Sequence, residues 1–193
     1  MNAPLDLKMD KATFLRWARH QEGRYELVEG RPVMQHSPTR RHGDIAKAIE
    51  RLLESKLDLT TWVIRRGDLS VEIGEEFRLP DVMVEPAGLD DTSHATSEPV
   101  LIVEVMSPSS LYNDLNTKPP LYFKLATLET YIVASQDAPY LWVWQRARDA
   151  ERAFPTLPEE IHDLAQSIEL VHLGIALPVA DFYRGIFSKP PET

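Results

Sequence analysis

Two acidic residues stand in apolar runs, where an unpaired carboxylate is costly. Glu104 lies within Pro99-Val100-Leu101-Ile102-Val103-Glu104-Val105-Met106, and Asp81 opens a second run in Leu79-Pro80-Asp81-Val82-Met83-Val84. Both alternating faces of the first run are apolar, the pattern of a strand covered on both sides. A charge in such a strand has to be paired or bound to a cation. Asp114 and Lys118 follow Glu104 in the chain. Carboxylate oxygens are hard donors that suit Mg²⁺ or Mn²⁺. A strand-borne Asp, a strand-borne Glu and a nearby Lys are the arrangement of metal-dependent phosphodiesterases. The ion polarises a phosphoryl oxygen and acidifies its water, while the lysine steadies charge building on the phosphate.

The elements that position these residues follow from periodicity. Asp10 to Ala18 reads as a short helix that Asp10 can cap, with Phe14, Leu15, Trp17 and Ala18 as its apolar stripe. Arg24 to Glu29 reads as a strand, turned by Gly30 into a hairpin partner over Pro32 to His36. Ser37-Pro38 reads as the start of a long helix to about Leu57, with Ser as cap and Pro in the first turn. Its apolar face holds His42, Ile45, Ala46, Ile49, Leu52 and Leu53. Strands are predicted near Trp62–Arg66, Leu69–Ile73, Asp81–Glu85 and Val100–Met106, with Gly88 to Glu98 a polar loop. A helix centred on Leu121–Leu125 precedes a hairpin of Thr130–Ala134 and Tyr140–Arg146 across Gln136-Asp137-Ala138-Pro139. A weaker strand near Ser167–His172 and a final helix around Val179–Arg184 close the pattern. The order predicts a mixed α/β sheet flanked by helices, not a repeated βαβ winding.

With 193 residues, one domain spanning 1–193 is expected. No apolar run approaches the ~18 residues of a membrane helix. The first residues lack the basic-then-apolar pattern of a signal peptide. There are no cysteines, which excludes disulfides and thiolate metal sites and fits the cytoplasm. The net charge of −9 opposes casual nucleic-acid binding, which needs local Lys and Arg. Such clusters exist at Arg40-Arg41-His42, at Arg65-Arg66, and at Arg146 with Arg148.

Several segments occur in a telling order: Tyr25-Glu26-Leu27-Val28-Glu29-Gly30, Ser37-Pro38 with Arg41-His42, Leu79-Pro80-Asp81-Val82, Val103-Glu104-Val105-Met106-Ser107-Pro108-Ser109, and Asp114…Lys118…Tyr122. Together they resemble the Uma-two endonuclease family, a branch of the restriction-endonuclease-like PD-(D/E)XK superfamily, over roughly residues 10 to 187. The resemblance implies a restriction-endonuclease-like core, a mixed central β-sheet flanked by helices, with an N-terminal helix and β-hairpin. It implies a Mg²⁺- or Mn²⁺-dependent endonuclease acting on nucleic acid, with DNA preferred over RNA, and a homodimer. Asp81 matches the Asp of the PD element and Glu104 the first acid of the (D/E)XK element. Met106 stands where the usual lysine would be, and Lys118 is the matching position on the following helix. By the same resemblance Asp81, Glu104 and the Val105 carbonyl hold the ion, Lys118 orients the attacking water, and Glu26 completes the metal shell. His42, Asp114 and Tyr122 border the cleft.

Each residue also has a plainer reading. Asp81 could cap backbone amides at a strand start, and Glu104 could pair with an arginine such as Arg24. Glu26 could be a hairpin surface charge, His42 a hydrogen-bonded helix-start residue, and Asp114 a loop or helix cap. Lys118 and Tyr122 could pack on the surface. The chain departs from the family at Lys118-Pro119-Pro120, where a residue before proline is pushed from the α region and belongs at or before the helix start. It departs again at Tyr131-Ile132-Val133-Ala134-Ser135, a change expected to lie away from the metal. Two other functions compete. One is a catalytically inactive nuclease-fold module that binds nucleic acid or a protein. The other is a glycosidase-like carboxylate pair in a groove lined by Trp62, Trp142 and Trp144.

Overall fold

The computed structural model describes residues 8–35, 37–107, 111–148 and 152–187. Helix α1 (Lys11–Ala18) begins where Asp10 accepts a 2.7 Å hydrogen bond from the Thr13 amide. It buries Phe14 on Phe77. Strands β1 (Tyr25–Val28) and β2 (Arg31–Met34) pair antiparallel across Glu29-Gly30, both at positive φ, which suits the tight hairpin turn. Helix α2 spans Arg40–Lys56. Its cap is Thr39 rather than Ser37, because the Thr39 hydroxyl reaches the His42 amide at 3.2 Å. The apolar stripe buries Ile45, Ala46, Ile49, Leu52 and Leu53 as predicted.

The next strands are β3 (Trp62–Arg65), β4 (Ser70–Ile73), β5 (Glu76–Arg78), β6 (Val82–Pro86), β7 (Ala95–Thr96) and β8 (Leu101–Met106). After a π-helical turn at Asn113–Thr117 come α3 (Lys118–Tyr122), β9 (Thr130–Ser135) and β10 (Leu141–Gln145). The chain then forms β11 (Glu159–Ile161), β12 (Ser167–Leu170), β13 (Ile175–Pro178) and α4 (Val179–Phe182). Strands β5, β7, β11 and β13 went unpredicted. Each is two to four residues long, too short for a period-2 pattern to stand out.

One sheet runs β11-β10-β9-β8-β6-β3, a second β2-β1-β5-β4-β7, and β12 pairs with β13. In the six-stranded sheet only β8 and β9 pair parallel. Every residue of β8 and β9 is buried, as the two-sided apolar run predicts. One face carries Leu101, Val103 and Val105 into the core under α2. The other carries Ile102 and Met106 into a core with Tyr122, Tyr131 and Trp144. Glu104 alternates onto this second face. Among the described residues no helix is long and apolar enough to cross a membrane.

Candidate functional site

The register of β6 on β8 places the carboxylates. Val82 pairs with Val103, so Asp81, one residue earlier, stands opposite Glu104. Opposite residues on one face of an antiparallel pair have Cβ atoms about 4.5–5.5 Å apart. The Val105 amide donates to Asp81 Oδ2 at 2.7 Å, and His42 Nε2 lies 2.9 Å from Asp81 Oδ1. The plainer reading of Asp81, a carboxylate receiving backbone amides, is therefore also part of its geometry. His42 is a hydrogen-bonded helix-start residue whose partner is a site carboxylate.

Glu104 is 3 % exposed. Lys118 Nζ lies 2.9 Å from its Oε1, and the Tyr122 hydroxyl donates to the same oxygen at 3.0 Å. Its cation is thus Lys118, not Arg24, which lies over Gly67. Residues 104 and 106 share one face of a strand. Met106 is buried there among Tyr122 and Val133, and the ammonium arrives from α3 instead. Lys118 does not leave the α region: its φ is −71° and ψ −40°. Its amide donates to Asn113 O, five residues back, so the π turn carries the chain into α3. Pro119 and Pro120 fall in the first turn, where a missing N–H leaves no bond unmade. The two ion pairs of Lys118 offset the steric preference against this conformation. Neither Lys118 nor Tyr122 is surface packing: both are withdrawn from water onto Glu104.

Asp114, buried in the π turn, lies 3.0 Å from Lys118 Nζ through Oδ1. Its carbonyl accepts the Tyr131 hydroxyl at 3.0 Å, and the Tyr131 ring packs 5.4 Å from Tyr122. The departure at Tyr131 therefore touches the layer directly behind the carboxylates, contrary to the expectation that it lies away from them. Glu26, in β1, is 3 % exposed and so is not a hairpin surface charge. Its Oε1 accepts the Leu79 amide at 3.0 Å, and Arg78 approaches Oε2 at 3.4 Å. It fixes the turn into Asp81 from the second sheet.

Burial and the charges of Asp81 and Asp114 push the Glu104 carboxyl up to about 8, against the pull of Lys118. Burial opposes the Lys118 ammonium, but Glu104, Asp114 and Glu26 outweigh it and hold its proton well above the ordinary lysine range. Burial, then the Glu104 charge, raises the Tyr122 phenol far above its usual value.

Sequence reasoning missed two contributors. Buried Gln136 follows β9, where its amide donates to Met106 O at 3.2 Å. Its side-chain oxygen accepts the Thr39 hydroxyl at 2.8 Å. Thr39 thereby ties the start of α2, and with it His42, to the end of the central strands. No local pattern marks either residue, because the contact joins positions 97 apart. Of the predicted basic clusters, Arg65 and Arg66 are paired with Glu85 and Glu50. Arg40 and Arg41 are exposed beside His42, with Arg41 reaching Gln136 O at 3.4 Å. Trp144 is buried against Tyr131 and Phe123, so it lines no sugar groove.

A family model described as "Uma2: Putative restriction endonuclease" matches residues 12–180. The chain belongs to the Uma2 family. Its Uma2 fold is also that of a crystal structure described as a "putative nuclease belonging to DUF820" from Anabaena variabilis ATCC 29413. The TM-score is 0.73 over 91% of this chain and 97% of that one, at 14% identity. The fold is thus restriction-endonuclease-like, as predicted. Two proteins of Synechocystis sp. (strain ATCC 27184 / PCC 6803 / Kazusa) are similar in sequence. "Uncharacterized protein slr1290" is 25% identical over 183 residues, 93% of each chain. "Uncharacterized protein sll1609" is 27% identical over 130 residues, 65% of this chain and 73% of the relative.

Proposed function

We propose that this Uma2 protein is a metal-dependent endonuclease that hydrolyses phosphodiester bonds of nucleic acid, DNA in preference to RNA. The observation that carries the reading is the ammonium of Lys118 at 2.9 Å from Glu104 Oε1, on the strand face where Met106 has displaced the usual lysine. The alternative of a catalytically silent binding module drew on the displaced lysine and on the net charge of −9. The position of Lys118 at Glu104 weighs against the first argument. The charge still favours the alternative, as does the lack, among the described residues, of a group of three or more His, Asp or Glu side chains placed to hold a metal.

The donor set nevertheless fits Mg²⁺ or Mn²⁺. Two hard carboxylates stand opposite each other, and burial, with the charges of Asp81 and Asp114, raises the Glu104 carboxyl, so a bound cation would favour its ionised form. Asp81, Glu104 and the Val105 carbonyl would hold the ion, with Glu26 holding a second ion or the water behind them. When bound, the ion supplies Lewis acidity at the phosphoryl oxygen and a more acidic water. Both donors to Glu104 land on Oε1, which leaves Oε2 for the ion. Val105 N–H and His42 clamp Asp81 so that its carboxylate does not turn away. Lys118 orients the attacking water and meets the charge that builds on the phosphate. A homodimer would present a second centre to the opposite strand.

Single-turnover cleavage of a DNA substrate with Mg²⁺ or Mn²⁺ tests the reading. Loss of one such electrostatic contact costs about 10²–10³ in rate. Lys118→Met should lower the rate by that order and leave Mn²⁺ affinity nearly unchanged. Equal rates for wild type and Lys118→Met would remove Lys118 from the mechanism. No cleavage of any DNA or RNA substrate would leave the binding module as the function.

A further inference from the structure

We infer that Asp114 is the positioning residue that aims the Lys118 ammonium at Glu104, and that the π-helical turn is what brings it within reach. The inference rests on the reading of Asp81, Glu104 and Lys118 as a hydrolytic centre. Lys118 Nζ forms ion pairs with both Asp114 Oδ1 and Glu104 Oε1, at 3.0 and 2.9 Å. The cap position of the π turn, Tyr112, makes no side-chain cap bond, and the Asp114 side chain is 3% exposed. A carboxylate buried so deeply is costly unless its charge is used.

The turn that carries Asp114 is anchored from behind. The Tyr131 hydroxyl, from β9, holds the Asp114 carbonyl at 3.0 Å. Pro119 and Pro120 lack the amides that would close α-helical bonds to residues 115 and 116. The Lys118 amide, bonded to Asn113 O at the wider π spacing, is the last backbone donor before the two prolines. Asp114 and Lys118 then face the same side, four residues apart. Without Asp114 the four-carbon stem of lysine would keep one anchor instead of two, and the ammonium would lose its fixed direction.

The test compares wild type, Asp114→Asn, Lys118→Met and the double variant, reading single-turnover rate, KM, Mn²⁺ affinity and melting temperature. Misplacing a catalytic group by about 1 Å costs on the order of 10² in rate. Asp114→Asn should therefore slow cleavage by about ten- to a hundredfold with KM and Mn²⁺ affinity unchanged. In the Lys118→Met background it should add less than about twofold, since residues acting as a unit are non-additive. The two melting-temperature shifts should be non-additive as well, a readout that survives if Asp114→Asn is too unstable to assay or if no substrate is cleaved. Absence of cleavage by wild type would overturn the nuclease reading, while the melting-temperature cycle would still decide whether Asp114 holds Lys118. Equal rate losses in both backgrounds, or additive melting-temperature shifts, would overturn the inference. A fall in Mn²⁺ affinity as large as that of Glu104→Gln would overturn it too, by making Asp114 a ligand.

Discussion

Lys118 and Arg146 are both cations drawn partly out of water, and the fold holds them in opposite ways. Lys118 faces the carboxylates of Glu104 and Asp114. Arg146 faces neutral carbonyls, donating at 2.8 Å to each of Leu125 O, Leu128 O and Arg152 O, and stacks over Phe154 at 4.5 Å. The consequences differ in sign. Burial loosens the proton of Arg146, whereas the surrounding carboxylates tighten that of Lys118. The guanidinium is spent on tying a turn and a loop to the end of β10. Around Lys118 negative charge exceeds positive, and the excess is what a divalent ion would neutralise. A cavity of about 380 Å³ opens beside Arg146, lined also by Arg148 and His172, and among the described residues Glu129 is the one acid of its lining. Unbalanced buried charge, rather than open space, distinguishes the candidate centre.

The largest expected effect comes from removing one of the two carboxylates. Glu104→Gln should abolish Mn²⁺ binding in calorimetry while the fold survives. Ligand linkage then predicts that Mn²⁺ raises the melting temperature of wild type and not of the Asp81→Asn/Glu104→Gln double variant. Unchanged binding in both single variants would erase the contrast with Arg146.

Next comes pH. Metal has to displace the proton of Glu104, which leaves at about 8. Mn²⁺ affinity should therefore weaken about tenfold per pH unit below that value and level off above it. In the metal-free protein the folded state holds this proton more tightly than the unfolded chain, whose value is near the ordinary 4.5. The stabilisation is complete below about 4.5 and is lost as pH rises through about 8. A melting-temperature series from about pH 5 to 9 should fall for wild type and stay flatter for Glu104→Gln. Equal slopes would remove Glu104 as the titrating group.

Arg146→Met probes the other side of the comparison. It removes three hydrogen bonds at about 1 kcal/mol each, a loss of roughly 3 kcal/mol. At about 2–4 °C per kcal/mol for a chain of this length, the melting temperature should drop by about 6–12 °C. Mn²⁺ affinity should not move; if it does, the two regions are coupled. The smallest effect belongs to the rim. Reversing Arg40 and Arg41 to Glu should weaken DNA binding and lower its salt slope by about 1 to 2. Affinity that does not vary with salt would point to a protein partner instead.

What the sequence reveals about the centre depends on whether the evidence is local. Asp81 and Glu104 are visible because a charge inside an apolar run violates the pattern of its own strand. Their pairing follows once β6 and β8 are neighbours. Lys118 is visible as a lysine that follows Glu104, and resemblance gives it a role, but its direction is hidden. A pre-proline residue argues against helix, and a π turn has no signature in a 3.6-residue period. Asp114 looks like any loop acid until its distance to Lys118 is known. Gln136 and Thr39 meet across half the chain, which no short window registers. In the same way α2 is legible from its stripe, but its cap moves from Ser37 to Thr39 because Gln136 waits for the hydroxyl.

The single parallel pairing of the six-stranded sheet has a consequence for biosynthesis. Strand β8 gains its second neighbour only when β9, beyond the crossover through α3, has left the ribosome. A nascent chain that ends at Leu125 already carries Glu26, His42, Asp81, Glu104, Asp114 and Lys118. It lacks Tyr131, which anchors the Asp114 carbonyl, and Gln136, which anchors the start of α2. Connections of this kind close late, because the loop has to be ordered before its contacts reward it. On the proposed reading, partial translation products would hold the candidate residues without the scaffold that positions them.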